Sequence, residues 1–121
     1  GQNGSMDQDF LGGCWRSQDP LYRSSTDGQQ IVVEYCFDKN GRGRRSHYAN
    51  NKKLCTGSLS HRSNGRVVTL DAQGLACPNG SDYAPQHAEC YRVGSRIQCR
   101  GSDALGGGRT NIWDAYFTKP R

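Results

Sequence analysis

Between residues 30 and 37 apolar and polar side chains alternate. Ile31, Val33, Tyr35 and Phe37 fall on one face, and Val32, Glu34, Cys36 and Asp38 on the other. That two-residue period is the mark of a strand with one face buried. The same period recurs near the end of the chain, where Trp113, Ala115 and Phe117 form the apolar set and Ile112, Asp114, Tyr116 and Thr118 the other. Turn signals punctuate the chain at Asp27-Gly28, Asn40-Gly41, Asn64-Gly65, Asn79-Gly80 and Gly94-Ser95, and no helical stripe runs beyond two turns. Short strands separated by Gly and Asn turns predict an all-β sandwich or barrel. The predicted strands are 10–17, 30–37, 43–49, 54–61, 66–72, 87–93, 96–101 and 110–118. Pro20, Pro78 and Pro85 fall between them, where proline breaks no ladder.

Two hairpins can be registered. A two-residue turn at Asn64-Gly65 pairs Ser63 with Arg66, which sets Leu59 against Leu70 and His61 against Val68. A two-residue turn at Gly94-Ser95 pairs Val93 with Arg96 and sets Cys90 opposite Cys99, at the close, non-hydrogen-bonded kind of pair that a disulfide can span.

The chain has 121 residues and six cysteines, Cys14, Cys36, Cys55, Cys77, Cys90 and Cys99, with no CxxC pair. An even, dispersed set reads as a disulfide framework and an oxidising compartment, periplasmic or secreted. Cys90–Cys99 is the pairing the hairpin favours. Cys14–Cys36 and Cys55–Cys77 complete it naturally, although spacing alone does not select among the connectivities open to six cysteines. At 33% hydrophobic residues the interior is thin, so covalent links are expected to supplement it. Residues 1–6 are expected to be a cloning remnant and 7–121 one domain. No apolar run is long enough for a membrane-spanning helix.

Charge changes the picture. The net charge is +5, and no acidic residue occurs from Lys39 to Leu70. That stretch carries Lys39, Arg42, Arg44, Arg45, Lys52, Lys53, Arg62 and Arg66, half of the 16 basic residues. On adjacent strands these side chains would form one basic face, with Tyr48 as a stacking or hydrogen-bonding contact. Such a face suits an anionic partner: an acidic protein surface, an acidic glycan, lipopolysaccharide or unspecific nucleic acid. The plain alternative is a solvated surface that keeps a polar domain soluble.

Catalytic and metal signals are sparse. His47 or His87 with Glu89 and Lys52 could serve a small secreted hydrolase, such as a ribonuclease-like toxin, but their spacing does not unite them. His61, on the Leu59 face, reads as a hydrogen-bonded rim residue. No HxxxH, HExxH or GxSxG occurs, and Gly106-Gly107-Gly108 lacks the Lys-Ser/Thr of a phosphate loop. No metal, cofactor or catalytic residue is therefore assigned. A third reading is a carrier of a small apolar ligand: in a closed barrel the first and last strands meet, and Trp15, Tyr35 and Trp113 could line one mouth.

Phe10-Leu11-Gly12-Gly13-Cys14-Trp15-Arg16 resembles the opening G-x-W strand of lipocalin-like barrels. With Tyr35-Cys36-Phe37-Asp38, Gly41, Gly43, Cys55-Thr56-Gly57, Cys77-Pro78-Asn79-Gly80, Tyr83, Cys90 and Cys99-Arg100-Gly101, the chain resembles a cysteine-containing lipocalin-like module of bacterial secreted and virulence-associated proteins of the SrfA type. The resemblance implies an antiparallel barrel and a bacterial envelope or secreted setting, and it supplies no catalytic residues. The combined expectation is a small, disulfide-stabilised antiparallel meander β-barrel of about eight strands. Its expected role is that of a non-enzymatic binding module, a monomer or one domain of a larger exported protein.

Overall fold

The structure, a computed structural model, describes residues 5–120. A short helix α1 (Gln8–Leu11) precedes β1 (Gly13–Ser17), β2 (Tyr22–Arg23), β3 (Gln30–Phe37), β4 (Arg42–Ala49), β5 (Lys52–Ser63), β6 (Val67–Ala72), β7 (Leu75–Ala76), β8 (Asp82–Tyr83), β9 (Gln86–Val93), β10 (Arg96–Gly106) and β11 (Arg109–Thr118). Eight of these strands form a closed antiparallel barrel in the order β1-β11-β10-β9-β6-β5-β4-β3, which β1 closes by pairing with β3. The path is up and down throughout. β2 and the β7–β8 pair lie within connections. Closure leaves no barrel strand with an open edge, and each of the eight expected strands is present.

Alternation decides which side chains fill the interior. On β3, Ile31, Val33, Tyr35 and Phe37 point inward and are buried, while Val32 and Cys36 are half-exposed. Glu34 is also buried, although it faces outward, because Arg16 donates to it from β1 at 2.8 Å and Tyr48 donates to it from β4. On β11, Trp113, Ala115 and Phe117 form the inner set, and Ile112 stands exposed.

Each disulfide has a different mechanical position. Cys90–Cys99 bridges a directly opposed pair on β9 and β10 and lies inside the barrel. Cys14–Cys36 bridges an opposed pair on β1 and β3, the seam at which the barrel closes. Cys55–Cys77 ties the β6–β9 connection to β5.

The two barrel ends differ. At one end, Leu11 of α1 is buried together with Met6 and Trp15. Asp7 caps that helix by accepting from the Phe10 N–H, and the Trp15 indole donates to the Leu11 carbonyl at 2.7 Å. Met6, placed by the sequence reading in the remnant, is packed in the core and donates its N–H to the Gly65 carbonyl. Ser5 of that segment is exposed, and residues 1–4 lie outside the described residues. The other end carries the irregular β1–β3 connection, the β6–β9 connection and the β10–β11 hairpin.

Two expectations need correction. The hairpin after β5 pairs Ser63 with Val68, His61 with Leu70 and Leu59 with Ala72, two residues away from the predicted register. Asn64 is the reason. Its side chain accepts from the N–H groups of both Arg66 and Val67, so it opens the turn instead of occupying its centre, and Gly65 takes the positive-φ position. Because the slip is even, every side chain keeps its face. Second, Trp15 and Trp113 do not share a mouth. Arg16 pairs with Thr118, which places the two indoles about six residues, or roughly 20 Å, apart along the wall, at opposite ends.

Candidate functional site

The basic stretch folds into β4 and β5, and alternation divides it between two environments. Arg42, Arg44 and Tyr48 face outward from β4 opposite Ser60, Ser58 and Lys53 of β5. Lys52 lies at the start of β5, Arg62 near its end and Arg66 in the following turn, and all three are exposed. The result is a stripe of cations running the length of the hairpin, flanked by Asp38 in the β3–β4 turn and by Asp71 on β6. At its centre the Arg16 guanidinium stacks on the Tyr48 ring at 3.9 Å, with the Lys53 ammonium 5.9 Å from the same ring. Arg42 and Arg44 stand two residues, or about 7 Å, apart along β4, whereas Lys53 and Arg62 lie toward opposite ends of β5.

Arg45 does not belong to this face. It lies on the inner parity of β4 with Gly43, His47 and Ala49, and it is 0% exposed. The outer stripe therefore consists of Arg42, Arg44, Lys53, Arg62 and Arg66, with Tyr48 among them, while Lys52, opposite inward Ala49, stands exposed at the end of the β4–β5 hairpin.

Inside, Arg45 joins a polar cluster in the barrel half away from α1. Asp103, on the inner parity of β10, accepts from four donors. The Tyr22 hydroxyl (2.7 Å), the Gln86 amide (3.1 Å) and the Trp113 indole (3.1 Å) reach Oδ1, and the Asn111 amide (2.9 Å) reaches Oδ2. Tyr35 donates its hydroxyl to Gln86 Oε1 at 2.6 Å, and the Gln86 amide also bonds the Tyr22 hydroxyl. Trp113 can reach Asp103 because it lies over Gly101, where any Cβ would overlap the indole. Burial raises the pKa of both Tyr22 and Tyr35, and Asp103 adds to the effect. Burial lowers that of Arg45. Burial, and then the charge of Arg45, pushes the His47 pKa down to about 3, so its ring is neutral at ordinary pH.

Of the expected mouth residues, Tyr35 and Trp113 belong to this cluster and Trp15 does not. His47 points into the barrel, whereas His87 points out of it and bonds Asp71 at 2.7 Å. The barrel wall thus separates His47 from His87 and Glu89, and Lys52 stands exposed at the barrel end. His61 sits inside near the α1 end, with Nε2 2.8 Å from the Arg42 carbonyl and 3.1 Å from that of Asp38. Cys14, Glu34 and Cys36 lie close together, but the two sulfurs are bonded to each other.

The members missed by sequence reading are Tyr22, Gln86, Asp103 and Asn111, together with Tyr83, whose ring packs edge-on against His47. Asp103 carried a signal, since Ile97, Cys99, Gly101 and Asp103 share one parity and the first two are core residues. The chain matches no family model, no curated protein and no solved structure.

Proposed function

We propose that this barrel is a non-enzymatic binding module, exported to the periplasm or beyond the cell, that holds an anionic macromolecule against the outer face of the β4–β5 hairpin. The observation carrying this reading is the exposed stripe from Lys53 through Arg44 to Arg42 and Arg62, on two paired strands that contain no acidic residue. Cations at strand spacing meet successive charges of a polyanion and gain from release of its counterions. Tyr48, held by Arg16 and Glu34, offers a fixed ring edge in the middle. Export is supported by three disulfides and by the thinness of the core they reinforce. The up-and-down barrel with Trp15 in its first strand supports kinship with the lipocalin-like bacterial modules that the sequence resembles.

Heparin chromatography tests the reading. The wild-type protein is expected to be retained and to elute between about 0.1 and 0.5 M salt. R42E/R44E should pass through, and R45Q, altered only inside the wall, should elute with the wild type. Equal retention of R42E/R44E and the wild type would refute it.

A further inference from the structure

Three neighbouring side chains in the barrel half away from α1 carry buried polar atoms that have no partner among the described residues. They are Nε and Nη2 of Arg45, both ring nitrogens of His47, and the Tyr83 hydroxyl. Arg45 and His47 are each 0% exposed. The Tyr83 ring meets His47 edge-on with centroids 4.3 Å apart, and Arg45 Nη1 donates to the carbonyl of Ala84, the next residue, at 3.0 Å. Buried polar groups are nearly always paired, so five such atoms gathered in one place call for a ligand.

The geometry of the free atoms indicates which ligand. Nε and Nη2 lie along one edge of the guanidinium, the edge that grips a carboxylate through two parallel hydrogen bonds. Asp103, whose charge Arg45 feels, does not fill that edge, because its oxygens are bonded to Tyr22, Gln86, Trp113 and Asn111. His47 adds a neutral ring able to donate from one nitrogen and accept at the other.

Tyr83 and Ala84 belong to the β6–β9 connection, which folds over this half of the lumen. The connection is fastened by Cys55–Cys77 and by the Ser81 hydroxyl, 2.9 Å from that of Ser24 and 2.8 Å from that of Thr26. Leu75 seats it on Gly57, where a methyl group would collide with the leucine. Outside Tyr83 and Ala84 lies a cleft of about 300 Å³, bounded also by Tyr22, Asp103 and Asn111. Those two residues therefore partition the cleft from Arg45 and His47. The volume suits a small molecule.

We propose that this half of the lumen is a binding site for a small carboxylate, gripped by the free edge of Arg45 beside His47 and Tyr83, and that the β6–β9 connection is its lid. The site lies across the wall from the outer stripe and is independent of what the stripe binds. Lifting Tyr83 and Ala84 joins the cleft to the guanidinium, so that the carboxylate reaches the Nε–Nη2 edge, while Nη1, which leaves the Ala84 carbonyl, turns to the water that enters with the ligand.

The test is a titration of the oxidised protein with benzoate. It is followed at the Arg45 Nε–H resonance, which is identified by its absence from R45Q or R45K. Saturable movement of that resonance is expected, with benzamide, the neutral isostere, leaving it in place. R45K keeps the charge but loses the fork, and should bind benzoate at least roughly tenfold more weakly. C55S/C77S, with one lid fastening removed, should bind benzoate faster than the wild type. Absence of movement in both the wild type and C55S/C77S, up to the solubility limit of benzoate, would overturn the site. Equal binding of benzamide, or undiminished affinity in R45K, would overturn the carboxylate grip.

Discussion

Replacing Asp103 with alanine removes the acceptor around which the inner polar cluster is organised. Oδ1 receives the Tyr22 hydroxyl, the Gln86 amide and the Trp113 indole, and the residue is 3% exposed. In the alanine variant Gln86 keeps the Tyr22 oxygen and Asn111, which is exposed, turns to solvent. Tyr22 and Trp113, both half-buried, are left as donors without a protein acceptor. At about 1–3 kcal/mol for each orphaned donor, less the relief of no longer burying a carboxylate, the expected loss is about 2–5 kcal/mol. D103N is the informative contrast. Its amide oxygen can occupy the Oδ1 position and keep all three inner donors, so what is lost is charge assistance and the attraction of the carboxylate for the Arg45 guanidinium, about 1–2 kcal/mol together once the relief of no longer burying the carboxylate is set against them. Urea unfolding with the disulfides intact, followed by far-UV circular dichroism, should place D103A well below D103N at equal m-value. Stability of D103A within about 0.5 kcal/mol of wild type, or D103N as damaging as D103A, would refute the reasoning.

Other consequences follow from the same interior. The His47 pKa of about 3 lies below the 6.5 of the free side chain, so the native state prefers the neutral ring. Its contribution to stability is fully present above pH 6.5 and is lost as pH falls toward 3, amounting to roughly 2 kcal/mol by pH 5. In H47Q the stability difference between pH 7.5 and pH 5 should shrink by about that amount, and an unchanged difference would count against a buried neutral ring. G101A should drive Trp113 off Asp103. The expected sign is a red-shifted indole emission that is absent in a G101A/W113F control, with a stability loss of about 1–3 kcal/mol. C14S/C36S opens the seam between β1 and β3 and should lower stability by about 3 kcal/mol on the loop-entropy account of a 22-residue separation. Calorimetry with the other two bridges intact measures it.

Local pattern carried most of the architecture. The period-2 runs of β3 and β11 located their inner faces, and counting outward from Gly94-Ser95 brought Cys90 to Cys99, because a two-residue turn leaves the register no freedom. The same count failed at Asn64, where a side-chain cap moved the turn by one position and the ladder by two. Arg45 shows a different weakness. Alternation along β4 separates it from Arg42 and Arg44, but grouping basic residues by proximity in sequence discards parity. The inner cluster was illegible for a topological reason. Gln86, Asp103 and Trp113 sit on the neighbouring strands β9, β10 and β11, but Tyr22 and Tyr83 come from irregular connections, and Tyr22 and Tyr35 reach Asp103 and Gln86 only across the closed barrel.

If the outward cations grip a polyanion as proposed, the salt dependence of binding shows it most directly. Affinity for a single-stranded oligonucleotide, used as a uniform polyanion, should be measured at a series of salt concentrations. With Arg42, Arg44, Lys53 and Arg62 each meeting one phosphate, log K against log salt should fall with a slope near −3. R44E should flatten that slope, and R45Q should leave it unchanged. A slope near zero, or one that R44E does not alter, would contradict the account.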